Sequence, residues 1–89
     1  MTYRLHSLLQ AVGLEIPDSL NNPLIENISC DSRSLKRGTL FLGLPGEKVD
    51  GGIFWQKAFS SGAVAALISS ASAETITPNS RDTVVIVSD

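Results

Sequence analysis

A repeat of apolar residues near the amino terminus predicts the first helix. The residues recur at helical spacing and so share one face: Leu5, Leu8, Leu9 and Val12. Thr2 is placed to cap a helix over residues 3–12, and Gly13 is placed to end it. His6 lies off the apolar face, and we expect it to be exposed and without a role. Residues 14–23 contain prolines and asparagines, which are typical of a connector.

Four apolar runs further along the chain predict strands. They are a short run carrying Ile25, Ile28 and Cys30, then Thr39 to Leu42, Ala63 to Ile68, and Thr83 to Val87. The run that begins at Thr39 is bounded by polar loops on both sides, so we interpret it as a central strand. The last run is dense in β-branched residues, which favour strands.

A second helical period separates two of these strands. Its apolar pairs lie one turn apart: Phe54 with Ala58, and Trp55 with Phe59. They predict a helix over residues 51–61 that Asp50 caps and that Gly62 ends in the left-handed conformation. We expect Trp55 to be buried against the sheet. Strand, helix and strand over residues 39–68 then form a βαβ unit with parallel strands.

These elements together predict one small α/β domain with a mixed β-sheet and flanking helices. Residues 69–81 are small or polar and contain Pro78, so we interpret them as a surface connector. The chain stops at Asp89, directly after an apolar strand. We therefore expect residues 1–89 to be one domain of a longer protein.

Composition narrows the function classes. The formal net charge of −2 gives no general attraction to nucleic acid or to an anionic membrane, and no run is long enough to span a bilayer. A single cysteine excludes an intrachain disulfide, and with one histidine it cannot form a usual structural zinc site. We expect a cytoplasmic protein with neither a nucleic-acid nor a membrane partner.

Two polar loops between Ile28 and Phe54 carry most of the candidate chemistry. Four of the seven glycines lie between Gly43 and Gly52, and four of the seven Lys and Arg residues lie between Arg33 and Lys48. Hydroxyls, cations and glycine backbone at neighbouring strand ends are a common way to bind an anion. The alternative is that both loops are solvated turns.

No standard catalytic or nucleotide motif is present in these loops. The stretch Gly43 to Lys48 is not a Walker A loop, because Glu47 precedes the lysine and Val49 follows it. A G-x-G-x-x-G motif is absent as well. Cys30 has no base partner in the sequence, and we interpret it as a small buried hydrophobe.

The residues after Cys30 have a binding interpretation and a structural one. Ser32 is suited to donate a hydrogen bond to a phosphate oxygen, and Arg33 to add charge-assisted bonds. Alternatively, Asp31 and Arg33 pair with each other and stabilise the loop. Lys48 suits anion steering or simple solvation, and Asp50 suits a helix cap better than a ligand contact.

An ordered set of short motifs resembles the N-terminal domain of the Mur ligases, and within that family the MurE type. The set is Asp31-Ser32-Arg33, Gly38 to Phe41, Pro45-Gly46, Asp50-Gly51, Phe54, Ala58 and Gly62-Ala63. The resemblance covers residues 26–68 well and the chain ends loosely. It implies an ATP-dependent amide ligase of cytoplasmic peptidoglycan synthesis, which adds a diamino acid to UDP-N-acetylmuramoyl-L-alanyl-D-glutamate.

The resemblance also implies which residues bind ligand. The N-terminal domain would hold the UDP part of the substrate, with Ser32 at the diphosphate and Val49 beside the uridine. The implied contacts are Cys30, Ser32, Glu47, Lys48 and Val49. ATP and Mg²⁺ would bind a central domain, and a C-terminal domain would help choose the amino acid. We therefore expect this chain to bind substrate, with no catalytic or metal-binding residue of its own.

Two other interpretations remain at this point. A MurF-type ligase, which joins D-alanyl-D-alanine to a tripeptide substrate, has a related first domain. Asp50-Gly51-Gly52 followed by Phe54 favours the MurE type. A non-enzymatic module that binds nucleotides or proteins is the alternative from another class. The resemblance does not say whether the diamino acid is meso-diaminopimelate or L-lysine.

Overall fold

The computed structural model describes residues 2–33, 35–43, 51–79 and 81–87. Its elements in chain order are β1 (Tyr3–Arg4), α1 (Leu5–Ala11), β2 (Leu24–Ile25), β3 (Asn27–Ser29), β4 (Thr39–Leu42), a 3₁₀ turn (Gly51–Phe54), α2 (Trp55–Ser61), β5 (Ala63–Ser69), α3 (Ser70–Thr75) and β6 (Val84–Val87).

The strands form two sheets. A four-stranded sheet has the order β3-β4-β5-β6, and each of its neighbouring pairs is parallel. β1 and β2 form a separate antiparallel pair. The predicted α/β class, with both kinds of pairing and flanking helices, is confirmed. The interpretation of Thr39–Leu42 as a central strand is confirmed too, because β4 lies between β3 and β5.

Helices cover both faces of the four-stranded sheet and make two cores. Leu40 packs with Leu5 and Leu9 of α1, whereas the next residue, Phe41, packs with Trp55 and Ala58 of α2. Neighbouring residues of a strand point to opposite faces, so a strand buried on both faces reads as a continuous apolar run. This explains why residues 39–42 show no polar alternation.

Trp55 is the main aromatic anchor of the α2 side. Only 2% of the residue is exposed, as predicted. Its ring meets Phe59 edge to face at 6.0 Å between centroids, and its Nε1 donates to the Ile76 carbonyl oxygen at 3.1 Å. Gly62 ends α2 with a φ of +128°, in the left-handed region as predicted. α2 therefore has the burial and the end that its sequence indicates. The predicted start at residue 51 is wrong, because Gly51–Phe54 forms the 3₁₀ turn and α2 begins at Trp55.

The amino-terminal helix is shorter than its sequence pattern predicts. Arg4 occupies the N-cap position, without a side-chain cap bond, so the predicted capping by Thr2 is wrong. Val12 lies after the helix and is 70% exposed, so it does not extend the apolar face. The pairing of Tyr3 and Arg4 with β2 keeps the chain extended until Leu5. Tertiary pairing therefore overrides the local helical period.

His6 was predicted to be exposed, and this is wrong because the structure half-buries it. Its Nε2 lies 2.9 Å from the Leu20 carbonyl oxygen and 3.1 Å from the Asn21 carbonyl oxygen. Its backbone N–H donates to Asn22 Oδ1 at 2.9 Å. His6 therefore holds the connector against α1, which the period of leucines does not reveal.

Two further predictions need correction. The apolar run from Ile25 to Cys30 is two short strands, β2 and β3, that belong to different sheets. Residues 69–81 are not only a connector, because α3 lies within them. Ser69 begins α3 by accepting a hydrogen bond at its Oγ from the Ser72 backbone N–H at 3.1 Å. This is ordinary N-cap chemistry in a segment without a long apolar period.

Candidate ligand-binding site

A cavity of about 460 Å³ opens where β3 and β4 end. Among the described residues it is lined by Cys30, Asp31, Ser32, Arg33, Phe41, Gly51, Phe54 and Lys57. The loop after β3 forms one wall, and the 3₁₀ turn with the start of α2 forms the other. Small-molecule sites are of this size, and in open parallel sheets they lie outside the carboxyl ends of the strands.

A close approach of two glycines packs the 3₁₀ turn against the end of β4. A Cβ atom on Gly43, directly after β4, would collide with the Gly52 Cα and would lie 2.9 Å from the Gly52 N. The Gly43 backbone N–H donates to the Leu67 carbonyl oxygen at 2.8 Å, which fixes the end of β4 to β5. Glycine is therefore required here to let the 3₁₀ turn pack on the sheet.

The loop after β3 is ordered by its own side chains. The Asp31 N–H donates to Ser29 Oγ at 3.1 Å. Asp31 Oδ1 in turn accepts from the Arg33 backbone N–H at 2.9 Å. A short polar side chain that bonds the backbone two residues on is a common turn device. Residues 30–33 of this turn line the cavity.

Asp31 and Arg33 also form an ion pair. Arg33 Nε donates to Asp31 Oδ1 at 3.0 Å, and an Arg33 terminal nitrogen donates to Asp31 Oδ2 at 3.3 Å. These bonds hold the pKa of Asp31 below its usual value of 3.8, and they raise the pKa of Arg33. The interpretation of the two side chains as a loop-stabilising pair is confirmed.

Ser32 lies in the cavity wall and is 8% exposed. Its backbone carbonyl accepts a hydrogen bond from Ser61 Oγ at 3.1 Å, which ties the loop to the end of α2. Cys30 lines the same cavity and is exposed, so its interpretation as a buried hydrophobe is wrong. Cys30 directly follows the last residue of β3 and belongs to the cavity wall rather than to a core.

The structure thus brings together two of the five predicted contacts, Cys30 and Ser32. The other three, Glu47, Lys48 and Val49, lie outside the described residues, as does the predicted cap Asp50. Sequence reasoning missed Lys57, whose side chain reaches the cavity from α2. A signal was present, because Lys57 follows Phe54 by three residues, and residues so spaced share one side of a helix.

The described wall combines positive charge with apolar surface. Phe41 is buried beneath the cavity, and Phe54 is 41% exposed beside it. Asp31 offsets the charge of Arg33, so the described lining has a net charge of one positive unit, which Lys57 supplies. A hydroxyl, a cation and aromatic rings in one half-open cavity suit a phosphorylated compound with an apolar or flat part.

Two kinds of catalytic group are absent from the described cavity lining, a histidine and a metal-binding cluster. His6 is the only histidine, and it lies against the connector rather than in the cavity. No group of three His, Cys, Asp or Glu residues that could hold a metal ion occurs within the described ranges.

Within the described ranges, no helix is long and apolar enough to cross a membrane. The fold and cavity together define an α/β domain with a candidate ligand-binding cavity.

Comparison with known proteins places this domain in a family. A family profile described as "Mur ligase family, catalytic domain" matches residues 24–88. The chain belongs to the Mur ligase family, and the resemblance to the N-terminal domain of the MurE type is confirmed.

Three relatives illustrate the similarity, and each is named UDP-N-acetylmuramoyl-L-alanyl-D-glutamate–2,6-diaminopimelate ligase. The relative from Prochlorococcus marinus (strain MIT 9313) is 56% identical over 98% of this chain and 17% of its own length. That from Synechococcus sp. (strain WH7803) is 48% identical over 100% and 18%. That from Gloeobacter violaceus (strain ATCC 29082 / PCC 7421) is 47% identical over 74% and 13%. The chain therefore spans less than a fifth of the length of these relatives.

Proposed function

We propose that this chain holds the UDP end of UDP-N-acetylmuramoyl-L-alanyl-D-glutamate for a ligase that adds 2,6-diaminopimelate to it. The support for the substrate and the amino acid comes from the names of relatives that are up to 56% identical over nearly the whole chain. The support for the UDP part is the cavity, because its lining includes a serine, a lysine and an exposed phenylalanine: Ser32, Lys57 and Phe54.

The proposal divides the work between this chain and the rest of such a ligase. The described residues lack a metal-binding cluster, and the sequence lacks a Walker A loop. They do not fit ATP and Mg²⁺, which the resemblance assigns to a central domain. This chain would bind and orient the substrate in the cytoplasm, and its own central and C-terminal domains would carry out amide formation. Ser32 would donate to the diphosphate, and Cys30 would lie beside it.

Cys30 allows a direct test of binding, because it is the only cysteine and is exposed in the cavity wall. We expect UDP to slow the reaction of its thiol with a disulfide reagent, whereas uridine should slow it less at equal concentration. Ser32→Ala should weaken the protection by UDP, since a hydrogen bond to a charged group contributes roughly 1.5–3 kcal/mol. The labelling rate as a function of UDP concentration gives the affinity of the unsubstituted protein and that of Ser32→Ala for UDP.

A relocated thiol is the matched control. In the double variant Cys30→Ser with Val12→Cys, the only thiol lies at a 70% exposed position outside the cavity. UDP should leave its labelling rate unchanged. If millimolar UDP slows neither thiol, the chain does not bind UDP in this cavity, and an interaction module without nucleotide binding becomes the better interpretation.

The amino-acid assignment needs the longer ligase that carries this chain. We expect it to join 2,6-diaminopimelate, in an ATP-dependent reaction, to the UDP-linked dipeptide. L-Lysine and D-alanyl-D-alanine serve as the competing substrates in a product assay by mass spectrometry. Preferred use of D-alanyl-D-alanine with a UDP-linked tripeptide would instead assign the MurF-type reaction.

A further inference from the structure

The cavity contains two cationic side chains, and they differ in how they are engaged. Arg33 donates to both carboxylate oxygens of Asp31, at 3.0 and 3.3 Å, so its charge is already matched. Lys57 lines the same cavity from α2. In the part of the chain that the structure describes, no acidic side chain lies within ion-pair distance of it.

The electrostatic effect of Lys57 extends to the loop after β3. The hydrogen bonds and the charge of Arg33 lower the pKa of Asp31 most, and the charge of Lys57 lowers it by a smaller amount. Asp31 nevertheless accepts hydrogen bonds from both the backbone N–H and the side chain of Arg33. Of the two cations in the described cavity lining, Lys57 is therefore the one whose charge is not matched by a carboxylate. An anion that enters the cavity would interact with Lys57 first.

We propose that Lys57 is the side chain that makes this cavity select a diphosphate over a monophosphate or a neutral nucleoside. The proposal rests on the function proposed above and adds a residue to it. The ammonium of Lys57 would contact the phosphate oxygens, with the Ser32 hydroxyl on the facing wall. Since attraction to a cation grows with the charge of the ligand, the loss of Lys57 should affect UDP more than UMP, and uridine least.

The test measures affinities by isothermal titration calorimetry with UDP, UMP, uridine and inorganic pyrophosphate. We expect Lys57→Gln to weaken UDP binding about tenfold, near the low end for a charge-assisted bond because the lysine is exposed. Uridine affinity should change less than about twofold. Lys57→Arg, which keeps the charge, should restore most of the UDP affinity. Pyrophosphate should follow UDP in all three proteins.

Lys36→Gln is the matched control. It removes the same charge from an exposed lysine that is not in the described cavity lining. We expect it to change UDP affinity less than about twofold, and raising the salt concentration should weaken UDP binding to Lys36→Gln more than to Lys57→Gln.

The outcomes separate the two proposals. If the unsubstituted protein binds UDP but Lys57→Gln and Lys36→Gln lose equal affinity, the role of Lys57 is refuted and UDP binding stands. If Lys57→Gln weakens uridine as much as UDP, Lys57 contributes to the fold of the site rather than to charge selection, and the inference is again refuted. If the unsubstituted protein binds no UDP, both proposals fall.

Discussion

Trp55 belongs to the same core cluster as Phe41, which lines the cavity, and its replacement by alanine should strongly destabilise the domain. The residue is 2% exposed, packs edge to face on Phe59, and donates to the Ile76 carbonyl oxygen at 3.1 Å. Truncating a buried tryptophan to alanine costs about 3–5 kcal/mol through lost burial and the cavity left behind. Within this, the ring pair contributes about 0.5–1.5 kcal/mol and the hydrogen bond about 1 kcal/mol.

This cost is large compared with the total stability of the domain. At about 0.05–0.15 kcal/mol per residue, a chain of this length has a free energy of unfolding of about 4–13 kcal/mol. Trp55→Ala should therefore lose its cooperative transition or shift it to far lower urea. Trp55→Phe keeps an aromatic ring but leaves the Ile76 carbonyl without its donor, so we expect a smaller loss of about 1–3 kcal/mol.

Urea denaturation followed by far-ultraviolet circular dichroism measures both losses, because this signal does not depend on the tryptophan itself. Val12→Ala is the control, since a substitution at a 70% exposed position should change the free energy of unfolding by less than about 0.5 kcal/mol. A loss below about 1 kcal/mol for Trp55→Ala would refute the reasoning, because it would place the indole outside the core.

Three further predictions concern the frame of the site. Gly43→Ala should cost about 1–3 kcal/mol in urea denaturation, because its Cβ would collide with the backbone of Gly52; an unchanged midpoint would contradict that approach. Ser69→Ala removes the N-cap side chain of α3, so the free energy of unfolding should fall by about 0.5–2 kcal/mol, whereas Ser69→Asp should largely retain it. In Arg33→Gln, an NMR titration should find the pKa of Asp31 closer to 3.8 than in the unsubstituted protein; no rise would mean that the pair does not lower it.

The Asp31 pair has a defined effect on stability against pH. The folded state lowers the pKa of Asp31, so the pair stabilises the fold above the unfolded pKa. This contribution is lost as the pH falls through the lowered, folded pKa. Because both side chains are solvent-exposed, the effect should be small and should weaken further with added salt.

The apolar pattern was enough to predict the centre of the fold. β4 was predicted at its observed bounds, and α2 with its buried Trp55 and terminal Gly62 was predicted as well. These segments have strong local patterns that their packing then satisfies. α3 could not be predicted in the same way, because six small or polar residues carry no clear period and its burial depends on contacts with the sheet.

The candidate site was likewise predicted only in part from the sequence. The chain order of hydroxyl, cation and glycine predicted an anion site in the two loops. Cys30 and Ser32 of the first loop line a cavity, and anion binding there stays a prediction. The ion pair in which Asp31 neutralises the charge of Arg33 depends on side-chain geometry. The spacing of the two residues in the sequence does not specify that geometry. That Lys57 enters the same cavity depends on how α2 docks on the sheet.

The sequence by itself determined the α/β pattern, the central strand, the buried position of Trp55 and the loop that lines the candidate cavity, because each follows from local periodicity or from residue chemistry. Only the tertiary structure decided that the run from Ile25 to Cys30 divides between two sheets and that His6 holds the connector. It alone decided that Cys30 is exposed and that Lys57 carries the unmatched charge. These features depend on contacts between residues far apart in the chain, and a local pattern contains no information about which distant groups will meet.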